Sequence, residues 1–103
     1  MLDVVIRPRA QLDLESIYTY IAVALGSPQS AEGILEALYQ AMERIAELPD
    51  LGTLLESERL SRPYRRVLVK NYWVYYSTGE QCVTIWRILH TRQDIDDFTL
   101  VEF

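Results

Sequence analysis

The chain has 103 residues, half of them hydrophobic, with a single cysteine and a formal net charge of −5. That length fits one domain, residues 1–103, with its own apolar core, and a lone thiol, Cys82, excludes an internal disulfide and fits a reducing, cytoplasmic setting. No apolar run approaches the roughly 20 residues of a membrane span, and the opening Met1, Asp3 and Arg7 give no expectation of a signal peptide.

Leu2, Val4 and Ile6 alternate with Asp3, Val5 and Arg7, which predicts a short strand stopped by Pro8. From Ala10 the period changes: Ala10, Leu14, Ile17, Ile21 and Ala24 form one stripe of a helix, and Gly26 supplies its stop. Ser27 reads as an N-cap and Pro28 as the first residue of a second helix. Its stripe is Ala31, Leu35, Leu38, Met42 and Ile45, and it ends before Pro49. Residues 49–63 carry no clear pattern and read as a loop.

Three strand-like runs follow: Tyr64 to Lys70, Tyr72 to Ser77 and Cys82 to His90. Asn71 and the segment Thr78-Gly79-Glu80-Gln81 suit the turns between them, so the runs form an antiparallel meander. The last is apolar on both faces, with Val83, Ile85 and Leu89 on one and Trp86 and Ile88 on the other, as a covered central strand requires. The fold class expected is α+β in the order β-α-α-β-β-β, a helical hairpin packed on a small, mainly antiparallel sheet. Residues 95–103 form an acidic and apolar tail with no assigned element.

Charge is segregated along the chain. Residues 59–92 hold seven bases, Arg59, Arg62, Arg65, Arg66, Lys70, Arg87 and Arg92, against one acid, Glu80, whereas residues 1–58 hold three bases and ten acids. Aromatic residues interleave the basic run, and such a surface draws an anionic partner. One histidine and one cysteine exclude a protein zinc cage, and neither a Gly-rich phosphate loop nor a Gly-x-Ser-x-Gly elbow is present. One cluster remains. Arg65, Arg66, Trp73, Arg87, His90 and Arg92 lie on the meander and are expected to converge on one cationic patch. Arginine and histidine together can bind a phosphodiester and move protons. The alternatives are that His90 caps the strand end through the backbone, and that Arg87 pairs with a helix acid such as Glu15 or Asp13. Tyr18, Tyr20, Tyr39, Tyr75 and Tyr76 read as packing at the core edge.

The segments Arg7-Pro8-Arg9-Ala10, Asp13-Leu14, Tyr20-Ile21-Ala22, Ile45-Ala46-Glu47-Leu48-Pro49 with Gly52, Tyr64-Arg65-Arg66, Asn71-Tyr72-Trp73-Val74-Tyr75-Tyr76 and Ile85-Trp86-Arg87-Ile88-Leu89-His90-Thr91-Arg92-Gln93-Asp94 resemble, in order and spacing, the RelE/ParE superfamily of toxins from bacterial type II toxin–antitoxin modules. The resemblance implies a cytoplasmic, growth-inhibiting toxin neutralised by a cognate antitoxin, with a role in plasmid stabilisation. RelE-like members cut messenger RNA in the ribosomal A site, and ParE-like members inhibit DNA gyrase. Trp73 stands where RelE-like sequences carry a catalytic arginine, and Phe98 where they carry a tyrosine or histidine as general acid. Arg92 matches a clamp arginine, and Arg65 and Arg66 match the basic strand. The ending from Ile88 to Asp94 looks like ParE.

The resemblance therefore implies a gyrase-binding toxin without catalysis, without cofactor or metal. Arg65, Arg66, Trp73, Arg87, His90 and Arg92 are the expected contacts to target and antitoxin. A ribosome-dependent endoribonuclease using His90 and Arg92 is the alternative, and a non-toxic interaction module a further one. The antitoxin is expected to lay an apolar, partly helical arm over the helical hairpin and the basic sheet edge, forming a hetero-oligomer with the toxin.

Overall fold

The computed structural model of the chain describes residues 1–58 and 60–93; Arg59, Phe98 and the 95–103 tail lie outside the described residues. Strand β1 (Asp3–Ile6) leads into α1 (Pro8–Thr19), which runs on as a π-helical turn (Tyr20–Ala24) before α2 (Pro28–Glu47). Then come β2 (Thr53–Leu55), β3 (Tyr64–Val69), β4 (Tyr72–Thr78) and β5 (Cys82–His90). The sheet order is β1-β5-β4-β3-β2, antiparallel from β2 to β5, with β1 parallel to β5. The helical hairpin on a mainly antiparallel sheet is thus the observed α+β architecture, with β5 inside the sheet as its apolar faces require. Strand β2 lies within the stretch read as a loop. Three residues are too few to show a period of two, and pairing with Tyr64–Arg66 makes them a strand. Among the described residues no helix is long and apolar enough to cross a membrane.

Pro8 ends one element and begins the next, since its fixed φ suits the first turn of a helix. Ala10, Leu14, Ile17 and Ile21 are buried as the stripe requires, but Ala24 is exposed. The π turn explains this. Leu25 N–H donates to Tyr20 C=O, five residues back, at 3.0 Å. The extra residue in that turn rotates Ala24 away from the core, and Ala22 packs there in its place. Gly26 then stops the helix in the left-handed region at φ 67°. Ser27 holds the N-cap position of α2, but its hydroxyl donates to Ser30 Oγ at 2.7 Å and makes no bond to the helix backbone. Pro28 at the first helical position does the starting.

The sheet buries both faces. Towards the helices lie Tyr72, Val74, Tyr76, Val83, Ile85 and Ile88, packed on Leu14, Leu38, Met42 and Ile45. On the other face Tyr64, Tyr75, Trp86 and Leu89 form a second cluster with Leu55, Leu60 and Trp73. Ile88 and Leu89 therefore lie on faces opposite to those expected from strict alternation. The cause is a β-bulge: Tyr75 pairs with Arg87 but its neighbour Tyr76 pairs with Ile85, so Trp86 is an added residue and the phase reverses after it.

The β3–β4 hairpin turns through Lys70 and Asn71, and Lys70 takes the left-handed conformation at φ 56°. A Cβ there costs about 1 kcal/mol, which glycine avoids at the expense of unfolded-state entropy. Lys70→Gly is expected to raise stability by about 0.5 kcal/mol, measured by urea denaturation at pH 7; a lower midpoint would show that the lysine side chain holds the turn.

Candidate functional site

Successive residues on a strand point to opposite faces, so Arg65 and Arg66 part at once. Arg65 reaches back to the segment before β2. Its guanidinium donates to Gly52 C=O at 2.8 Å and to Asp50 C=O at 3.3 Å. It also lies 3.4 Å from the Asp50 carboxylate, which is 91% exposed, so that ion pair contributes little. Arg66 lies on the other face. Its Cζ stacks 4.0 Å from the centroid of Trp73, Nη1 donates to Tyr75 Oη at 3.4 Å, and Nε is buried without a partner among the described residues. The same face carries a second stack. Arg62 and Arg7 lie over Trp86, 4.9 and 5.4 Å from its centroid, while the indole N–H donates to Ser77 Oγ at 2.8 Å. Burial raises the Tyr75 phenol above its usual range, and the Arg66 guanidinium partly offsets this.

On β5 the charges are tied differently. Arg87 stands in one cross-strand row with Tyr75 and Arg66, two strands and about 10 Å from the latter along the backbone. Its guanidinium turns instead to α1. Arg87 Nε and Nη2 donate to Asp13 Oδ2 and Oδ1 at 2.7 and 2.9 Å, a bidentate pair, and Ile88 N–H adds a third bond to Oδ2 at 2.9 Å. Of the two acids open as partners for Arg87, the structure takes Asp13. His90 Nδ1 accepts the Arg92 N–H at 3.0 Å, and its ring meets Tyr72 edge-on with centroids 5.2 Å apart. That bond needs Nδ1 without its proton, so the nitrogen is occupied in bracing the turn after β5. His90 N–H donates to Gln93 Oε1 at 2.8 Å.

His90 and Arg92 border an open cleft of ≈ 560 Å³ between α1 and β5, whose floor is Ile17, Tyr72 and Ile88 and whose outer wall is Tyr20. Burial, and then the neighbouring Tyr20, raise the Tyr72 phenol above its usual range. The six residues expected to form one patch therefore fall into three places. Arg66 and Trp73 stack on the face away from the helices. Arg87, His90 and Arg92 gather by α1. Arg65 clasps the loop before β2. Sequence reasoning passed over the part Tyr20, Tyr72 and Gln93 play in the cleft, and that of Arg7 and Arg62 on Trp86. A tyrosine at a helix end and an arginine in a loop carry no periodic signal. Chemically, the open face offers cations held on indole rings, and the cleft offers an apolar pocket with a cationic rim. Neither pairs a free base with a free acid among the described residues.

Comparison with known proteins gives a consistent picture. Residues 4–95 match the family model of the ParE toxin of type II toxin–antitoxin system, parDE. The chain is similar to Toxin ParE1 of Mycobacterium tuberculosis, in both the CDC 1551 / Oshkosh and the ATCC 25618 / H37Rv strains. Identity to each is 33% over 90 residues, covering 86% of this chain and 89% of the relative. Among solved structures, a chain of the chromosomal ParDE TA system from P. aeruginosa superposes with a TM-score of 0.70 at 18% identity, covering 87% of this chain and 96% of that one. At that identity the likeness establishes the fold.

Proposed function

The chain belongs to the ParE toxins of type II toxin–antitoxin systems, and from that membership we propose that it arrests growth by binding and inhibiting DNA gyrase until a cognate antitoxin neutralises it. One observation favours binding over cleavage: His90, the single histidine, spends Nδ1 on the Arg92 backbone. A ribonuclease needs a base and an acid around the phosphodiester. Here Arg87 is held by Asp13, and Trp73, which stands in the sequence where RelE-like members carry a catalytic arginine, lies stacked against Arg66. What is left is a surface for recognition. We assign target contact to the open face, where Arg66 on Trp73 and Arg62 on Trp86 present planar cations on aromatic supports. Arginine and tryptophan in such arrangements dominate the energetics of protein interfaces. Gyrase acts on the chromosome, so the site of action is the cytoplasm, where Cys82 stays reduced.

The test is a supercoiling assay with purified chain and gyrase. Wild-type chain inhibits. Trp73→Ala is expected to weaken inhibition about tenfold, about 1.4 kcal/mol, since it removes both the indole and the support of the Arg66 guanidinium. Gyrase that keeps full activity, together with new messenger 5′ ends in A-site register in a translation extract, would replace this reading with the ribonuclease. Cells that grow normally with folded chain present would favour a non-toxic interaction module.

A further inference from the structure

Strand β1 is one edge of the sheet, and among the described residues no strand lies on its outer side. Which backbone groups face outward follows from the bonds it makes. Asp3 N–H donates to Gln81 C=O and Arg7 N–H to Ile85 C=O, each at 3.0 Å, so alternate residues from Asp3 onward face β5. Leu2, Val4 and Ile6 turn their N–H and C=O groups outward. The Leu2 N–H is taken by Ala46 C=O at 3.1 Å, where α2 ends, and Pro8 has no N–H to offer. The outward groups of Val4 and Ile6 are left, and an edge of this kind is a template for another strand. It holds neither lysine nor bulge nor internal proline to guard it, and the charges it carries, Asp3 and Arg7, are of opposite sign.

The order of residues on this edge selects its partner. Leu2, Val4 and Ile6 pack on the core, so Asp3, Val5 and Arg7 point to the open face. Asp3 and Arg7 lie about 13 Å apart along the strand, too far to pair within one chain. Now let two β1 strands run antiparallel with Val5 on a two-fold axis. Asp3 of each copy then stands opposite Arg7 of the other, Val5 opposite Val5, and Val4 opposite Ile6. Val4 and Ile6 exchange their outward bonds, while the charges and the valines take the non-hydrogen-bonded positions, where side chains approach closest. Val5 is 43% exposed in one copy, and such pairing covers it. Other registers fail. With Val4 on the axis, Ile6 needs the Leu2 N–H that Ala46 already holds. With Ile6 on the axis, Val4 needs an N–H from Pro8. A parallel pair in register sets like charges side by side.

We infer that β1 is a dimerisation edge, through which two copies of this chain join their sheets about a two-fold axis at Val5. The axis is perpendicular to the sheet, so both open faces, with Arg66 on Trp73 and Arg62 on Trp86, look the same way. The pairing stands independently of any target or antitoxin. The purified full chain is followed by sedimentation velocity from about 10 µM to 1 mM, because so small an interface associates weakly. The mass is expected to rise towards that of a dimer, and the Val4 and Ile6 amides to gain protection against hydrogen exchange over the same range. Asp3→Arg and Arg7→Asp each set like charges face to face and are each expected to raise Kd about tenfold. The double variant is expected to return to within threefold of wild type, and an equimolar mixture of the two single variants to form the mixed dimer. Val5→Lys brings two ammonium groups together at the axis and is expected to leave a monomer. Wild type at monomer mass throughout overturns the inference. So does association that survives Val5→Lys or leaves the Val4 and Ile6 amides unprotected, since the contact is then elsewhere. Folded single variants that fail to recover on mixing overturn it as well. The amide measurement uses wild type, so it decides the matter even where a variant fails to fold.

Discussion

Asp13→Ala is expected to lower folding stability by about 3–5 kcal/mol. The carboxylate makes three bonds of 2.7–2.9 Å, two to the Arg87 guanidinium and one to the Ile88 N–H, and Asp13 and Arg87 are only 14% and 12% exposed. Deleting it takes two bonds from the Arg87 guanidinium and one from a strand-edge amide where water reaches them poorly. The whole stability of a domain this size is about 5–15 kcal/mol, so the variant is expected to sit near the threshold of unfolding at 37 °C. Asp13→Asn keeps an acceptor for Ile88 but loses the charge, and is expected to fall between. The informative control is Asp13→Leu with Arg87→Met, which removes both charges together and is expected to recover most of the loss. Urea denaturation of the four proteins decides the matter. An Asp13→Ala cost below 1 kcal/mol would mean that the pair is solvated and that the link from α1 to β5 comes from packing alone.

That link shows how far the sequence could be read. A helical stripe is a repeated signal: Ala10, Leu14, Ile17 and Ile21 announce a buried face, and they have one. The π turn after them adds one residue without changing composition, so Ala24 falls out of the pattern unannounced. The bulge at Trp86 acts in the same way on β5, moving Leu89 to the face of Trp86 and Ile88 to that of Ile85. Each event is a single-residue slip: in the strand it reverses every assignment downstream, and in the helix it turns the stripe by about 100°. The site suffered more than the fold. Seven bases in one stretch of sequence suggested one cationic surface. Alternation sends Arg65 and Arg66 apart, and Asp13 draws Arg87 towards α1. The chain distance from Asp13 to Arg87 is too great for any local rule, yet a helix acid had been one of the partners open to Arg87. What decided between Asp13 and Glu15 was the rotation of α1 over the unpaired edge of β5.

Gly52 and Tyr76 carry the other large effect. The Tyr76 hydroxyl is wholly buried and bridges the chain on both sides, accepting the Gly52 N–H at 2.8 Å and donating to Pro49 C=O at 2.8 Å. Tyr76→Phe leaves both backbone groups without that partner, at about 1–3 kcal/mol each before relaxation, so a net loss of about 2–4 kcal/mol is expected. Gly52→Ala should cost about as much for a different reason. A Cβ at that position would sit 2.7 Å from Tyr76 Oη and 2.8 Å from the Arg66 carbonyl oxygen. The second atom belongs to β3 and cannot rotate away, so the segment before β2 has to move and the Arg65 bond to Gly52 C=O with it. Combining the two changes should cost less than their sum, since Tyr76→Phe removes the Oη clash, while the ring Cε1 at 2.8 Å and the Arg66 carbonyl oxygen remain. A pH series separates the hydroxyl's role from its bulk. Burial raises the Tyr76 phenol above its ordinary 10.0, against smaller opposing effects of the Gly52 N–H and Arg65. The stability due to the neutral hydroxyl is thus complete below pH 10.0 and lost as pH rises through the raised value. Wild type should therefore lose more stability than Tyr76→Phe as pH goes above that point. Parallel curves for the two proteins, or a Tyr76→Phe cost below 0.5 kcal/mol at pH 7, would show that the bridge does not hold the segment and that its position is set by β2 pairing.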